Sequence, residues 1–212
     1  MARLPDLRRP LDKDQGFTLV EVLIASAIFA MVLVGVYVIY DANQATYIRG
    51  EGRADLQQNA RVALDQMTRE LLMAGYDPNK VLAQPGTGIN NFAIQSIGAS
   101  TVRFLADVDG DGNAEVVEFA YDGTNKRITR QVWTTVWNTN KWDLGSTAGA
   151  QAITENNTMN SLAFTYRDLS NAVTAVACDV KRIDISISGT IKVGSQGTQS
   201  LSLNSSITPR NL

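Results

Sequence analysis

The stretch Gly16-Phe17-Thr18-Leu19-Val20-Glu21, running on as VLIASAIFAMVLVGVYVIY to Tyr40, decides the fold. From Phe17 to Tyr40 the only charged side chain is Glu21. As a helix rising ~1.5 Å per residue the run measures about 36 Å, enough to cross a ~30 Å hydrocarbon core. It is too long for the apolar region of an ordinary signal peptide, and no A-x-A site follows it. Upstream, residues 1–16 carry Arg3, Arg8, Arg9 and Lys13 against Asp6, Asp12 and Asp14. Positive charge before the span predicts that this side stays cytoplasmic, with everything after Tyr40 across the membrane.

Past Tyr40 the chain turns polar but keeps a helical period. Ala42, Ala45 and Ile48, then Leu56, Ala60, Ala63/Leu64, Met67, Leu71 and Ala74 recur at three- and four-residue steps. Arg53, Asp55, Arg61, Asp65, Arg69 and Glu70 fill the other face, and Asp65 and Arg69 form a favourably oriented i,i+4 pair. Gly75 and then Pro78 mark the stop. One helix is expected from about 17 to 74, with Gly50 and Gly52 as a weak point costing about 1 kcal/mol each relative to Ala.

Composition narrows the chemistry. The chain has 212 residues, is 44% apolar, and carries 19 basic against 21 acidic side chains, a net charge of −2. It can bury a core, and it lacks the basic excess of a sequence-independent nucleic-acid binder, so no nucleic-acid partner is expected. With no His and one Cys, imidazole catalysis, His- or Cys-cluster metal sites and an intrachain disulfide are all excluded. No enzymatic activity is expected.

Glu21 is out of place in a plain anchor. A carboxylate at the centre of a spanning helix costs roughly 2.5–3.5 kcal/mol; near the interface it costs less but still wants a partner. A short charged leader ending in Gly16, then Phe17-Thr18-Leu19-Val20-Glu21 opening a long apolar helix, resembles the prepilin signature of type IV pilins and type II secretion pseudopilins. That resemblance implies cleavage after Gly16 by a prepilin peptidase, N-methylation of Phe17, and assembly with other minor and major pilins into a filament. It also implies a role for Glu21, whose carboxylate would neutralise a neighbouring subunit's Phe17 ammonium. Residence in the bacterial inner membrane before assembly is implied too, with the head in the periplasm, and at the pilus or cell surface afterwards. LDQMTRELLMAGYDP, Leu64 to Pro78, and the ending Arg210-Asn211 resemble PilW-type minor pilins.

The expected organisation is a leader, 1–16; a membrane and filament-core helix, 17–40; an amphipathic helix docked on the head, 41–76; and a strand-rich head, 77–212. Strands are expected at 92–97, 101–106, 116–121, 126–133, 161–166, 172–177, 180–191 and 198–208. The last two form a hairpin through Gly194-Ser195-Gln196-Gly197, since Ile183, Ile185 and Ile187 alternate with polar residues, as do Leu201 and Leu203. Strands following one amphipathic helix imply an α+β fold with an antiparallel sheet packed on that helix, and the prepilin resemblance implies that this fold is type IV pilin-like.

One loop is a candidate cation site. Asp107 to Glu118 satisfies the spacing D-x-D-x-D-G-x5-E, with five carboxylates and no basic residue. Its flanks, TVRFLA and VVEFAY, read as strands rather than helices. Pairing Val102 with Phe119 and Phe104 with Val117 makes one face wholly apolar and sets Arg103 opposite Glu118. Glu118 is then the less favoured ligand, and calcium would be held by Asp107, Asp109, Asp111, the Asn113 carbonyl and Glu115. The alternative is a solvated Asp/Gly turn that binds nothing. Trp133, Trp137 and Trp142 are expected as packing anchors or a subunit contact, with a glycan platform as the alternative, and Cys178 as a small buried side chain.

These features point to a non-catalytic minor pilin acting in type IV pilus assembly or initiation. The alternatives are a J-type minor pseudopilin of a type II secretion system and a membrane-anchored calcium- or glycan-binding adhesin.

Overall fold

The computed structural model describes residues 16–192 and 197–212. The leader through residue 15 and the hairpin residues 194–196 lie outside the described residues. The chain divides into two compact units, one ending at Thr46 and the other spanning Tyr47–Leu212. A single helix, α1 (Leu19–Leu72), contributes to both. It ends two residues before the expected stop and continues unbroken through Gly50 and Gly52.

In the first unit the apolar side chains of α1 are exposed, from Leu19 and Val20 to Ile39 and Tyr40. This is the one helix among the described residues long and apolar enough to cross a membrane.

In the second unit α1 is amphipathic. Leu56, Ala60, Ala63, Met67 and Leu71 are buried along one stripe, continued by Ala74 just past the helix end. They pack against two antiparallel sheets. The larger has the order β1-β2-β3-β4-β5, with β6 also paired to β4. Its strands are β1 (Ile94–Ile97), β2 (Thr101–Ala106), β3 (Glu115–Asp122), β4 (Arg127–Asn138), β5 (Lys141–Thr147) and β6 (Gln151–Ala152). The smaller has the order β7-β8-β9, from β7 (Met159–Arg167), β8 (Arg182–Lys192) and β9 (Thr198–Ile207). Phe104, Phe119 and Ile128 from the first sheet and Ile183, Ile185 and Ile187 from the second share one core with the α1 stripe. The fold is therefore α+β, a long N-terminal helix with antiparallel sheets packed on it.

The helix stop is built by Gly75. Its φ of +85° is strained for any residue with a Cβ, and a Cβ there would strike the backbone of Asn211. Its N–H instead donates to Leu105 O at 2.8 Å.

Three expectations fail here. Residues 172–177 are β-branched and apolar but form only an isolated Arg167–Val173 bridge. Asp168 reverses the chain too tightly for a ladder, accepting from Ser170 Oγ (2.7 Å) and Ala172 N (2.9 Å). A 3-10 turn at Ala177–Asp179 then carries the chain away, which leaves Cys178 exposed rather than buried. The third is the expected strand set, which lacks β5 and the two-residue β6; both pair with β4, which runs past its expected end.

Candidate functional site

At the mouth of α1, Thr18 and Glu21 form a reciprocal capping box. The Thr18 N–H and hydroxyl both donate to Glu21 Oε2 at 2.9 Å, and the Glu21 N–H donates to Thr18 Oγ1 at 3.2 Å. Two of the backbone donors at the start of the helix are thereby satisfied, and Glu21 Oε1 takes no part. Gly16 and Phe17 precede the helix outside any regular element and are exposed. Gly16 has open space where a Cβ would stand.

The acidic loop lies between β2 and β3. Its register is the expected one: Val102 pairs with Phe119, Arg103 with Glu118 and Phe104 with Val117. Arg103 Nε and Nη2 bind Glu118 Oε2 at 3.0 and 2.8 Å, so Glu118 is engaged away from the loop. Asp107 is buried and scaffolds the loop, accepting from Gly110 N (2.7 Å) and Gly112 N (3.1 Å). Gly110 and Gly112 adopt φ of +78° and +90°, which the turn requires.

Asp107, Asp109 and Glu115 each offer a carboxylate oxygen within 4.8 Å of the others'. Asp111 is not in this group; its Oδ1 accepts from the Asn113 N–H (2.7 Å) and side-chain amide (3.2 Å). Of the four favoured carboxylates three converge, while Asp111 is turned to the Asn113 N–H and side-chain amide, bonds that leave the Asn113 carbonyl untouched. Glu115 is buried with one Oε2 contact, from Val108 N at 3.2 Å. Burial pushes its carboxyl up to about 7; the Val108 bond opposes this, and the charges of Asp109, Asp111 and Asp107 add to it. Three crowded carboxylates in this setting either hold a proton or neutralise a hard cation.

Residues distant in sequence complete the surroundings. Asp109 and Glu115 line a cavity of about 240 Å³ together with Arg130 and Gly149. Asn79 Oδ1 accepts from Ala114 N at 3.2 Å. Neither Asn79 nor Arg130 carries any local motif that ties it to the loop.

Trp133 and Trp142 are half-buried, whereas Trp137 is exposed. Arg103 lies over the Trp133 ring at 4.6 Å. Trp142 packs in a second small core with Val81 and Val116, and Trp137 meets it edge-on at 5.3 Å.

Residues 11–37 match the family model of the prokaryotic N-terminal methylation motif. No curated protein matches the chain. The N-terminus is thus type IV prepilin-like, and the α+β architecture behind it is pilin-like. A prepilin-type motif implies processing by prepilin peptidase and assembly with pilins, and the apolar first part of α1 is consistent with membrane anchoring.

Proposed function

We propose that this chain is a minor pilin, PilW-like, that acts without catalysis in assembling or initiating a type IV pilus. The observation that carries the reading is the exposed apolar surface of α1 with one carboxylate at its mouth, directly after Gly16-Phe17. An apolar helix of this kind is stable in a bilayer or a filament core and in little else. Prepilin peptidase cuts after Gly16, Phe17 is methylated, and Glu21 offers its free Oε1 to a neighbouring subunit's Phe17 ammonium. Two such charges are tolerable in an apolar core when paired and costly when one is missing. Before assembly the protein is a single-pass inner-membrane protein with a periplasmic head; afterwards it is part of a surface filament with other minor and major pilins.

A deletion strain scored for surface pili and for protein secretion tests this. Lost pili with normal secretion supports the pilus role. Lost secretion with normal pili assigns the chain to a type II secretion pseudopilus instead.

We also propose that the acidic loop takes calcium through Asp107, Asp109 and Glu115. The convergence of these three carboxylate oxygens supports it. Calcium-dependent melting, developed in the Discussion, is its test.

A further inference from the structure

The two sheets treat their edges differently. Along β5, Gly86 N donates to Trp142 O, Trp142 N to Gln84 O and Leu144 N to Thr87 O, so residues 84–87 cover that edge. Along β7, Met159 N reaches Lys126 O, Phe164 N reaches Ala99 O, and Tyr166 O accepts from Thr174 N. The short β1 is covered by Asn90, whose Nδ2 donates to Gln95 O at 2.7 Å. Among the described residues β9 has no such cover, although it is ten residues long and ends its sheet.

The open groups can be assigned. Thr190 N donates to Thr158 O, on the β7 side of β8. By alternation the odd-numbered residues of β8 bond β9, and their partners are the odd-numbered residues of β9, as in Ile187–Leu203 and Gly189–Leu201. The N–H and C=O groups of Ser200, Ser202 and Asn204 therefore point to the open edge. Natural edges are usually blunted by Pro, Lys or a bulge. Thr198–Ile207, TQSLSLNSSI, has no proline and no charge, and it pairs with β8 without a register shift. A bare, straight, neutral row of backbone donors and acceptors fits one partner chemistry, another extended strand.

We infer that β9 is completed by an edge strand from a different filament subunit, added to the β7-β8-β9 sheet. This rests on the filament reading above. In a filament all subunits point the same way, so a contact between copies must join two different surfaces. Among the described residues the other edges are covered except that of β6, which at two residues is too short for a ladder, and β9 against β9 needs a two-fold axis that a polar filament lacks. The occupant is therefore a strand of another protein.

A photoreactive benzophenone residue at position 202, in the full-length protein in its own cells, tests this. On irradiation it should give an adduct that peptide mass spectrometry maps to a strand of another prepilin-like chain. The same group at Ser161 on the covered β7 edge should give none. Ser202→Pro removes only an outward N–H, so its melting temperature should stay near wild type while its recovery in sheared filaments falls at least tenfold. An adduct with a second copy of this chain, no adduct at all, or normal recovery of Ser202→Pro would overturn the inference. If the wild-type chain enters no filament, the filament reading itself fails; if it enters filaments without the adduct, only the edge pairing fails.

Discussion

Arg130 on β4 holds Glu70 on α1, its Nε lying 2.9 and 2.8 Å from the two carboxylate oxygens. Both side chains are largely buried, and Gln66 Nε2 adds a third bond to Glu70 Oε1 at 3.0 Å. The pair ties the last turn of the helix to the larger sheet. Glu70→Ala should destabilise the second unit by about 1–3 kcal/mol, since it leaves the guanidinium without its counter-charge. Replacing both residues by Met should recover much of that loss. Urea unfolding of the full-length protein in detergent reads both; a Glu70→Ala midpoint equal to wild type would show the pair to be dispensable.

Glu115 gives the protein a pH dependence in the absence of divalent cations. Its folded pKa, about 7, lies above the ordinary carboxylate value, so the native state holds the proton more tightly than the unfolded chain. That contribution is fully present below about 4.5 and is lost as pH rises through 7. Asp122, held down to about 2 by Asn125 and Arg127, titrates well below this window. In EDTA the melting temperature should therefore fall between pH 5 and 8, and Glu115→Gln should flatten the slope. An unchanged slope in that variant would assign the effect to another group.

Calcium should reverse this trend by neutralising the same carboxylates. Binding to the folded state alone stabilises by about 2.7 kcal/mol at 100 times Kd. Asp109→Asn should remove most of the calcium shift, because Asp109 is exposed and its oxygen faces Asp107 and Glu115. Asp111→Asn and Glu118→Gln should leave it, as those carboxylates are engaged with Asn113 and Arg103. Melting curves with calcium or EDTA decide. No shift in the wild type leaves an ordinary turn, and a shift abolished by Glu118→Gln would put that residue among the ligands.

At the N-terminus, Glu21→Val should leave membrane insertion intact, since it makes the span more apolar, and should impair filament incorporation. A bulky residue at Gly16 should block cleavage. Mass spectrometry of filament-borne protein should find Phe17 methylated and first in the chain. An intact leader there would refute processing, and normal incorporation of Glu21→Val would refute the charge-pairing role.

The sequence by itself determined whatever rests on local periodicity. The apolar run from Phe17 to Tyr40, with Glu21 its one charge, requires a helix long enough to span a membrane. The Leu56–Ala74 stripe names the face that packs, because 3.6-residue spacing leaves no other face apolar. The β2–β3 register was legible because a one-residue slip would turn Phe104 and Phe119 out to solvent. Tertiary structure decided the rest. β5 has no clean alternation and is held by backbone bonds to residues 84–87, which no side-chain pattern announces. The apolar run at 172–177 has strand propensity, but the turn at Asp168 denies it a partner ladder. In the acidic loop the sequence weighted Asp107, Asp109, Asp111 and Glu115 alike, whereas folding buried Asp107 and Glu115 and left Asp111 to its own turn. Arg130 meets Glu70 across sixty positions of sequence, since helix-on-sheet packing joins residues by face rather than by spacing.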